Sequence, residues 1–180
     1  MTSQAPPYGP SVHVSPTHVF FYGYELQLPE SRFQMWYPAS FADPQYPDVR
    51  FQTAEHYVMH AKALIMSDAS TAERILEAAT PLEANRLGRE IKKFDSELWK
   101  SKVEEIAERA NYLKFSQVKE CRDALIATDR KVLAEASPVD RNWGIGFSGD
   151  EAGSKEEEWG RNLLGKALMR VRDRLKDKGV

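Results

Sequence analysis

The chain has only one cysteine, Cys121, among its 180 residues. A lone thiol cannot form an internal disulfide. Its neighbours Glu120 and Arg122 put it on a helix, as a partly buried residue of a reducing compartment. No apolar run approaches the ~20 residues of a membrane span, and the first residues carry no signal-peptide core. An intracellular location, cytoplasmic or nuclear, with no membrane partner is therefore expected. An excess of positive charge is also missing. Lys and Arg number 25 against 27 Asp and Glu, for a net charge of −2 and a pI near 6.1. That balance argues against a sequence-independent grip on nucleic acid, while leaving room for a local basic pocket that takes a phosphorylated ligand. Internal repeats are absent too.

What is present is ordinary for a soluble globular protein: 42% hydrophobic and 29% charged residues, in a length that suits one domain with its own core. Residues 1–17, rich in Pro, Ser and Thr, read as a flexible segment, and residues 18–180 as the domain. His18 to Tyr24 reads as a short strand ending at a glycine turn, and residues 25–52 as short strands or ordered loops. Helices dominate from residue 53. Ser70-Thr71-Ala72-Glu73 and Thr80-Pro81-Leu82-Glu83 are capping boxes, with Gly88 expected to end the second helix. Asp95 is placed to cap a long helix reaching about Phe115, and Gln117 to Ala127 gives another. Val132 to Ala136 reads as a strand, and Trp159 to Lys178 as a closing amphipathic helix. The expected class is mainly α with a few short β-strands (α+β).

The most telling stretch is Thr53-Ala54-Glu55-His56-Tyr57-Val58-Met59-His60-Ala61-Lys62. Positions seven apart return to nearly the same side of a helix. Glu55 and Lys62 thus share a face, with Met59 between them, on a helix apolar around most of its circumference. Burying a charge without a partner is unfavourable, so such groups are either paired or put to use. His56 and His60 have a metal-ligand spacing but lack a third ligand, and no metal or organic cofactor is expected.

A second stretch, Ser137-Pro138-Val139-Asp140-Arg141-Asn142-Trp143-Gly144-Ile145-Gly146, is a loop by its Pro, Asn and Gly content. With an acid, an aromatic plate and glycines such as Gly144 it suits a ligand wall. It equally suits a turn whose Asp140 accepts backbone hydrogen bonds and whose Trp143 fills the core. Gly160-Arg161-Asn162-Leu163-Leu164-Gly165 opens the last helix, where free N–H groups can hold a phosphate.

Taken in order, Thr-Ala-Glu-His-Tyr with Lys62, Leu87-Gly88-Arg89, Trp99, Lys114-Phe115, Ser-Pro-x-Asp-x-x-Trp-Gly-Ile-Gly and Gly-Arg-Asn-x-Leu-Gly resemble the NADAR family, the YbiA-like N-glycosidases. The likeness runs from about Phe21 to Leu175. It implies a mostly helical fold of the YbiA type and a pocket that breaks the bond between ribose C1 and a nitrogen. The substrates it implies are phosphoribosyl intermediates of riboflavin synthesis, or guanine bases carrying ADP-ribose, whether as small molecules or in ADP-ribosylated nucleic acid. By position, the resemblance gives functional roles to Glu55, Lys62, Trp99 and Asp140. Two walls depart from the family pattern: Phe33-Gln34-Met35-Trp36-Tyr37-Pro38, and Met59-His60-Ala61 before Lys62. These changes bear on substrate choice.

The chemistry is coherent with those roles. Breaking a ribosyl C–N bond builds positive charge at C1 and negative charge on the departing nitrogen. Glu55 is expected to stabilise the first, Lys62 to attack C1 as a neutral amine, and Asp140 to transfer the proton. Trp143 or Trp99 would stack on the base, at ~1–3 kcal/mol. Arg89 and the helix start at Asn162 are the phosphate candidates. The alternatives are a binding module that holds ADP-ribose or a nucleotide without turning it over, and a helical interaction protein in which Glu55 and Lys62 are purely structural ion-pair members.

Overall fold

The computed structural model describes residues 9–179. The mainly helical α+β class is what it shows, with seven α-helices and five strands among the described residues. The residues group into two compact units: those up to Gln34 together with those from Glu120 onward, and Met35–Lys119.

In the first unit, β1 (Ser11–Val14) runs antiparallel to β2 (His18–Tyr22), which pairs in parallel with β5 (Val132–Glu135). Strand β1 falls within residues 1–17, which the sequence reading assigned to a flexible segment; residues 1–8 lie outside the described residues. β2 is read correctly from its β-branched and aromatic run. Phe20 and Phe21 point to opposite faces of the sheet, and both are buried. On one face Phe20 joins Ala134, Ala136, Ile145 and Ala152, with Trp159 packed edge-on to its ring at 5.8 Å. Phe21 meets Phe33, from the 3-10 turn Pro29–Phe33, edge to face at 5.4 Å. Helix α5 (Lys119–Ile126) and the short α6 (Gly149–Ala152) complete the unit together with α7 (Leu163–Asp177), which packs on β5.

Helix α7 starts four residues later than the sequence suggests. Trp159 instead caps the aromatic cluster, donating its indole N–H to the Ala152 carbonyl (3.0 Å), and Asn162 turns the chain with φ of 50°. Gly165 sets the contact with β5: a Cβ there would lie 2.1 Å from the Leu133 carbonyl oxygen.

In the second unit a two-stranded hairpin, β3 (Phe41–Ala42) and β4 (Arg50–Phe51), leads into α1 (Ala54–Ile65). Thr53 caps α1 by accepting from the His56 N–H. Helices α2 (Ala69–Glu77), α3 (Pro81–Arg89) and α4 (Ser96–Gln117) all pack on α1. This is why a helix so apolar around its circumference is stable here: nine of its twelve residues are buried. Asp43, buried in the hairpin, accepts from Tyr57 Oη (2.7 Å) on α1 and from Arg109 Nε (2.7 Å) on α4, which ties three elements together. Burial pushes the Asp43 carboxyl upward, but the hydrogen bonds from Arg109, the Gln45 N–H and Tyr57 outweigh it and hold the group below its ordinary value.

Two details of the sequence reading need correction. The cap of α2 is Asp68, which accepts from the Thr71 N–H (3.1 Å), Thr71 Oγ1 (2.9 Å) and the Lys92 N–H (3.0 Å). A carboxylate taking three donors is a stronger acceptor than the Ser70 hydroxyl, so the helix begins one residue before Ser70. Gly88 does not end α3 but lies inside it. A Cβ there would sit 2.2 Å from Met59 Sδ, so this glycine exists for close approach to α1.

Gly165→Ala would gain helix propensity of about 1 kcal/mol in an unpacked helix. Here it meets a main-chain oxygen, and the expected outcome is a net loss of about 2–3 kcal/mol in urea unfolding. An unchanged midpoint would mean that α7 does not sit this closely on β5.

Candidate active site

The face of α1 that carries Glu55, Met59 and Lys62 meets α3. Glu55 is only 6% exposed. Its Oε1 accepts a hydrogen bond from Asn85 Nδ2 of α3 at 2.7 Å, and the Trp36 indole bonds the same carboxyl group. Lys62, half-buried, donates from Nζ to the Gly88 carbonyl (2.7 Å). Its amine also lies 4.6 Å from the centre of the Phe94 ring and 5.7 Å from that of Trp99. Trp99 is thus brought to Lys62, as expected of a residue from the same site.

The electrostatics follow from this geometry. Burial pushes the Glu55 carboxyl above its ordinary value, opposed by the bonds from Asn85 and Trp36 and by the charges of Lys62 and Arg89. Burial also pushes the Lys62 amine below its ordinary value; Glu55 opposes this and Arg89 adds to it. Both groups are therefore driven toward neutrality by the same cause, loss of water. The two aromatic faces act against burial, because ring quadrupoles favour the ammonium.

Arg89 stands on α3 four residues after Asn85, on the same side of the helix. A cleft of about 360 Å³ is lined by both residues together with Thr80, Leu82, Glu83 and Arg86. The sequence reading found Arg89, and named Trp36 only as part of a changed wall without its bond to Glu55; it missed Arg86, Asn85 and Phe94. Asn85 was findable, since it precedes Arg89 by one helical turn and lies just before the Leu-Gly-Arg segment. Phe94, 46% exposed, shows no periodicity that would single it out.

His56, next to Glu55, has a structural part. Its Nε2–H donates to the Ala78 carbonyl (3.1 Å), and Nδ1 lies 2.8 Å from Thr53 Oγ1, so α1 is tied to the residue that follows α2. His60 packs edge-on against Tyr46 and Phe51.

The remaining expected residues, Asp140, Trp143, Gly144 and Asn162, belong to the other unit. Asp140 Oδ1 accepts from the N–H groups of Asn142 (2.7 Å) and Trp143 (2.9 Å), bracing its own turn. Gly144 is buried, with the Glu135 carbonyl 2.7 Å from where a Cβ would stand, so it is a packed position rather than a flexible one. The start of α7 is not an open cradle of N–H groups. Asn162, Leu163 and Leu164 donate to the carbonyls of Gly144 (3.2 Å), Asn142 (3.0 Å) and Trp143 (3.1 Å). The Asn162 side chain donates to Leu133 O (2.9 Å) and accepts from Glu135 N–H (3.2 Å), holding β5. The loop's carbonyls take the donors that a phosphate would need.

The fold is thus a small, mainly helical α+β domain in which one face of α1 carries the buried Glu55 and the half-buried Lys62, the latter beside two aromatic rings. The NADAR domain family matches residues 20–176, and the chain belongs to that family. Among its relatives, an N-glycosidase of Acanthamoeba polyphaga mimivirus is 34% identical over 161 residues, spanning 87% of this chain and 95% of the relative. The N-glycosidase YbiA of Escherichia coli is 34% identical over 123 residues, spanning 68% of this chain and 69% of YbiA. The solution NMR structure of YbiA superposes with a TM-score of 0.74 at 27% identity, covering 93% of this chain and 89% of YbiA. No helix among the described residues is long and apolar enough to cross a membrane.

The raised Glu55 value has a sign that can be checked. Folding favours its neutral form, so that contribution is fully present below the unfolded value of about 4.3 and is lost as pH rises through the higher folded value. The stability of the protein relative to its Glu55→Gln variant should therefore fall as pH increases from about 4 toward neutrality. A difference that stays flat over this range in thermal unfolding would remove burial as the dominant influence on Glu55.

Proposed function

We propose that this protein is an N-glycosidase that cleaves the bond between ribose C1 and a nitrogen of a ribosylated base, the base carrying either a phosphoribosyl or an ADP-ribosyl group. The observation that supports this reading is the Glu55–Lys62 face of α1. Both groups are displaced from their ordinary ionisation by burial, and an amide and two aromatic rings attend them. The names of the relatives support the same reaction class.

In this reading the neutral Lys62 amine attacks C1 and the C–N bond breaks, its electron pair leaving with the base nitrogen. That nitrogen takes up a proton as the lysine nitrogen gives one up. Opening of the sugar ring yields a Schiff base between Lys62 and C1. Water then adds, frees the sugar and restores the amine. Glu55 stabilises the positive charge that develops at C1. Trp99 offers a ring to the base, and Arg89 on the cleft wall offers charge to a phosphate. Asp140, a functional position by the family resemblance, is proposed on chemical grounds as the proton-transfer partner.

The test uses ADP-ribosylated guanine DNA and, separately, the phosphoribosylamino pyrimidine, analysed by mass spectrometry with and without borohydride. Release of free sugar phosphate or ADP-ribose is expected from one of them, with a borohydride-trapped adduct on Lys62. Lys62→Ala should abolish both cleavage and trapping while melting within a few degrees of the parent; full activity in that variant would remove the lysine from the mechanism. Binding of either compound without cleavage would turn the reading toward a non-catalytic ADP-ribose or nucleotide module. Asp140→Asn keeps the acceptor of the loop turn, so a fall in turnover of ~10²-fold or more with an unchanged melting temperature is the result expected of a proton-transfer role.

A further inference from the structure

We propose that Asn85 is a positioning residue for Glu55, its side-chain amide fixing the direction of a carboxylate that α1 has withdrawn from water. The inference rests on the glycosidase reading for its consequence, but on geometry for its content. Asn85 Nδ2 and Glu55 Oε1 are 2.7 Å apart, at the short end for an N–H···O bond. Glu55 sits on a helix packed by α2, α3 and α4, and its carboxyl is almost without solvent contact. An ionised carboxylate in such a place keeps its charge only if donors replace the water it has lost.

Two neutral donors do so here, Asn85 from α3 and Trp36 from the segment before β3. The charged groups acting on Glu55 are Lys62 on its own helix and Arg89 on α3. Asn85 differs from all of these. It is the neutral donor that also lines the open cleft, so it links the space a ligand can enter to the buried carboxylate. An amide cannot accept the carboxyl proton, so it orients the group without competing for its chemistry. Gly88 adds a constraint: its close packing on Met59 fixes α3 against α1, and with it the distance across which Asn85 must reach. Asn85 and Gly88 lie three residues apart, so the spacer and the donor are successive points on one helix.

Asn85→Ala removes the donor, while Asn85→Asp replaces it with an acceptor of equal size that also carries charge. The carbon signal of the Glu55 carboxyl, assigned by its loss in Glu55→Gln, is titrated by NMR in each variant and in the parent. In both variants the midpoint is expected to rise by about one pH unit or more, the scale of one hydrogen bond to a charged group. The acid limb of kcat/KM should shift upward by the same amount, with activity recovering at higher pH, whereas a purely structural residue would lower activity equally at all pH values. A midpoint that moves in neither variant overturns the proposal. Failure of the parent protein to cleave any ribosylated base would overturn the functional reading alone, because the titration needs no turnover.

Discussion

Helix α1 can be buried only if three other helices cover it, and the arrangement of residues 35–119 follows from that requirement. Each apolar side chain removed from water contributes about 1.5–3 kcal/mol, and α1 buries Tyr57, Val58 and Met59 on successive faces. The same burial strips water from Glu55 and Lys62. Packing and the displaced ionisation of these two groups are thus two results of one event. The helix that organises the core is also the helix whose charges are least at rest. Around it the polar groups find specific partners: Asp43 and Arg109 bond Tyr57, Thr53 and Ala78 hold His56, and Asn85 reaches Glu55.

The other unit shows a different economy. Here one loop, residues 140–144, is stitched to the start of α7 by four main-chain hydrogen bonds, from Arg161, Asn162, Leu163 and Leu164. Asn162 adds a side-chain clamp on β5, and Gly165 lets the helix rest against that strand. A segment that looks in sequence like a phosphate cradle is, in the folded chain, a self-capped helix start. The loop supplies carbonyls where an anion would have supplied oxygens.

These contrasts explain which features were legible in the sequence. The strands over β2 and β5, the caps at Thr80 and Asp95 and the shared face of Glu55 and Lys62 all rest on local periodicity or local hydrogen bonding, and such signals survive in a single chain. Asp68 displaced Ser70 as a cap because its carboxylate also takes the Lys92 N–H from beyond α3, a long-range partner that no window of sequence contains. Gly88 was misread for the same reason: glycine near a helix end and glycine at a helix crossing look alike until the partner, Met59, is in place. The roles of Asn85 and Trp36 depend on where α3 and the segment before β3 meet α1. Spacing along the chain says nothing of that meeting.

The contact between Met59 and Gly88 carries one more implication. The thioether occupies a gap too narrow for a single added carbon, and it lies on the helix face between Glu55 and Lys62. Oxidation to the sulfoxide would attach an oxygen to this sulfur and make it polar. The oxygen would have to be accommodated at the same α1–α3 contact that the Asn85 and Lys62–Gly88 hydrogen bonds span. The face that carries Glu55 and Lys62 is therefore packed through a redox-sensitive atom that takes no part in its charge.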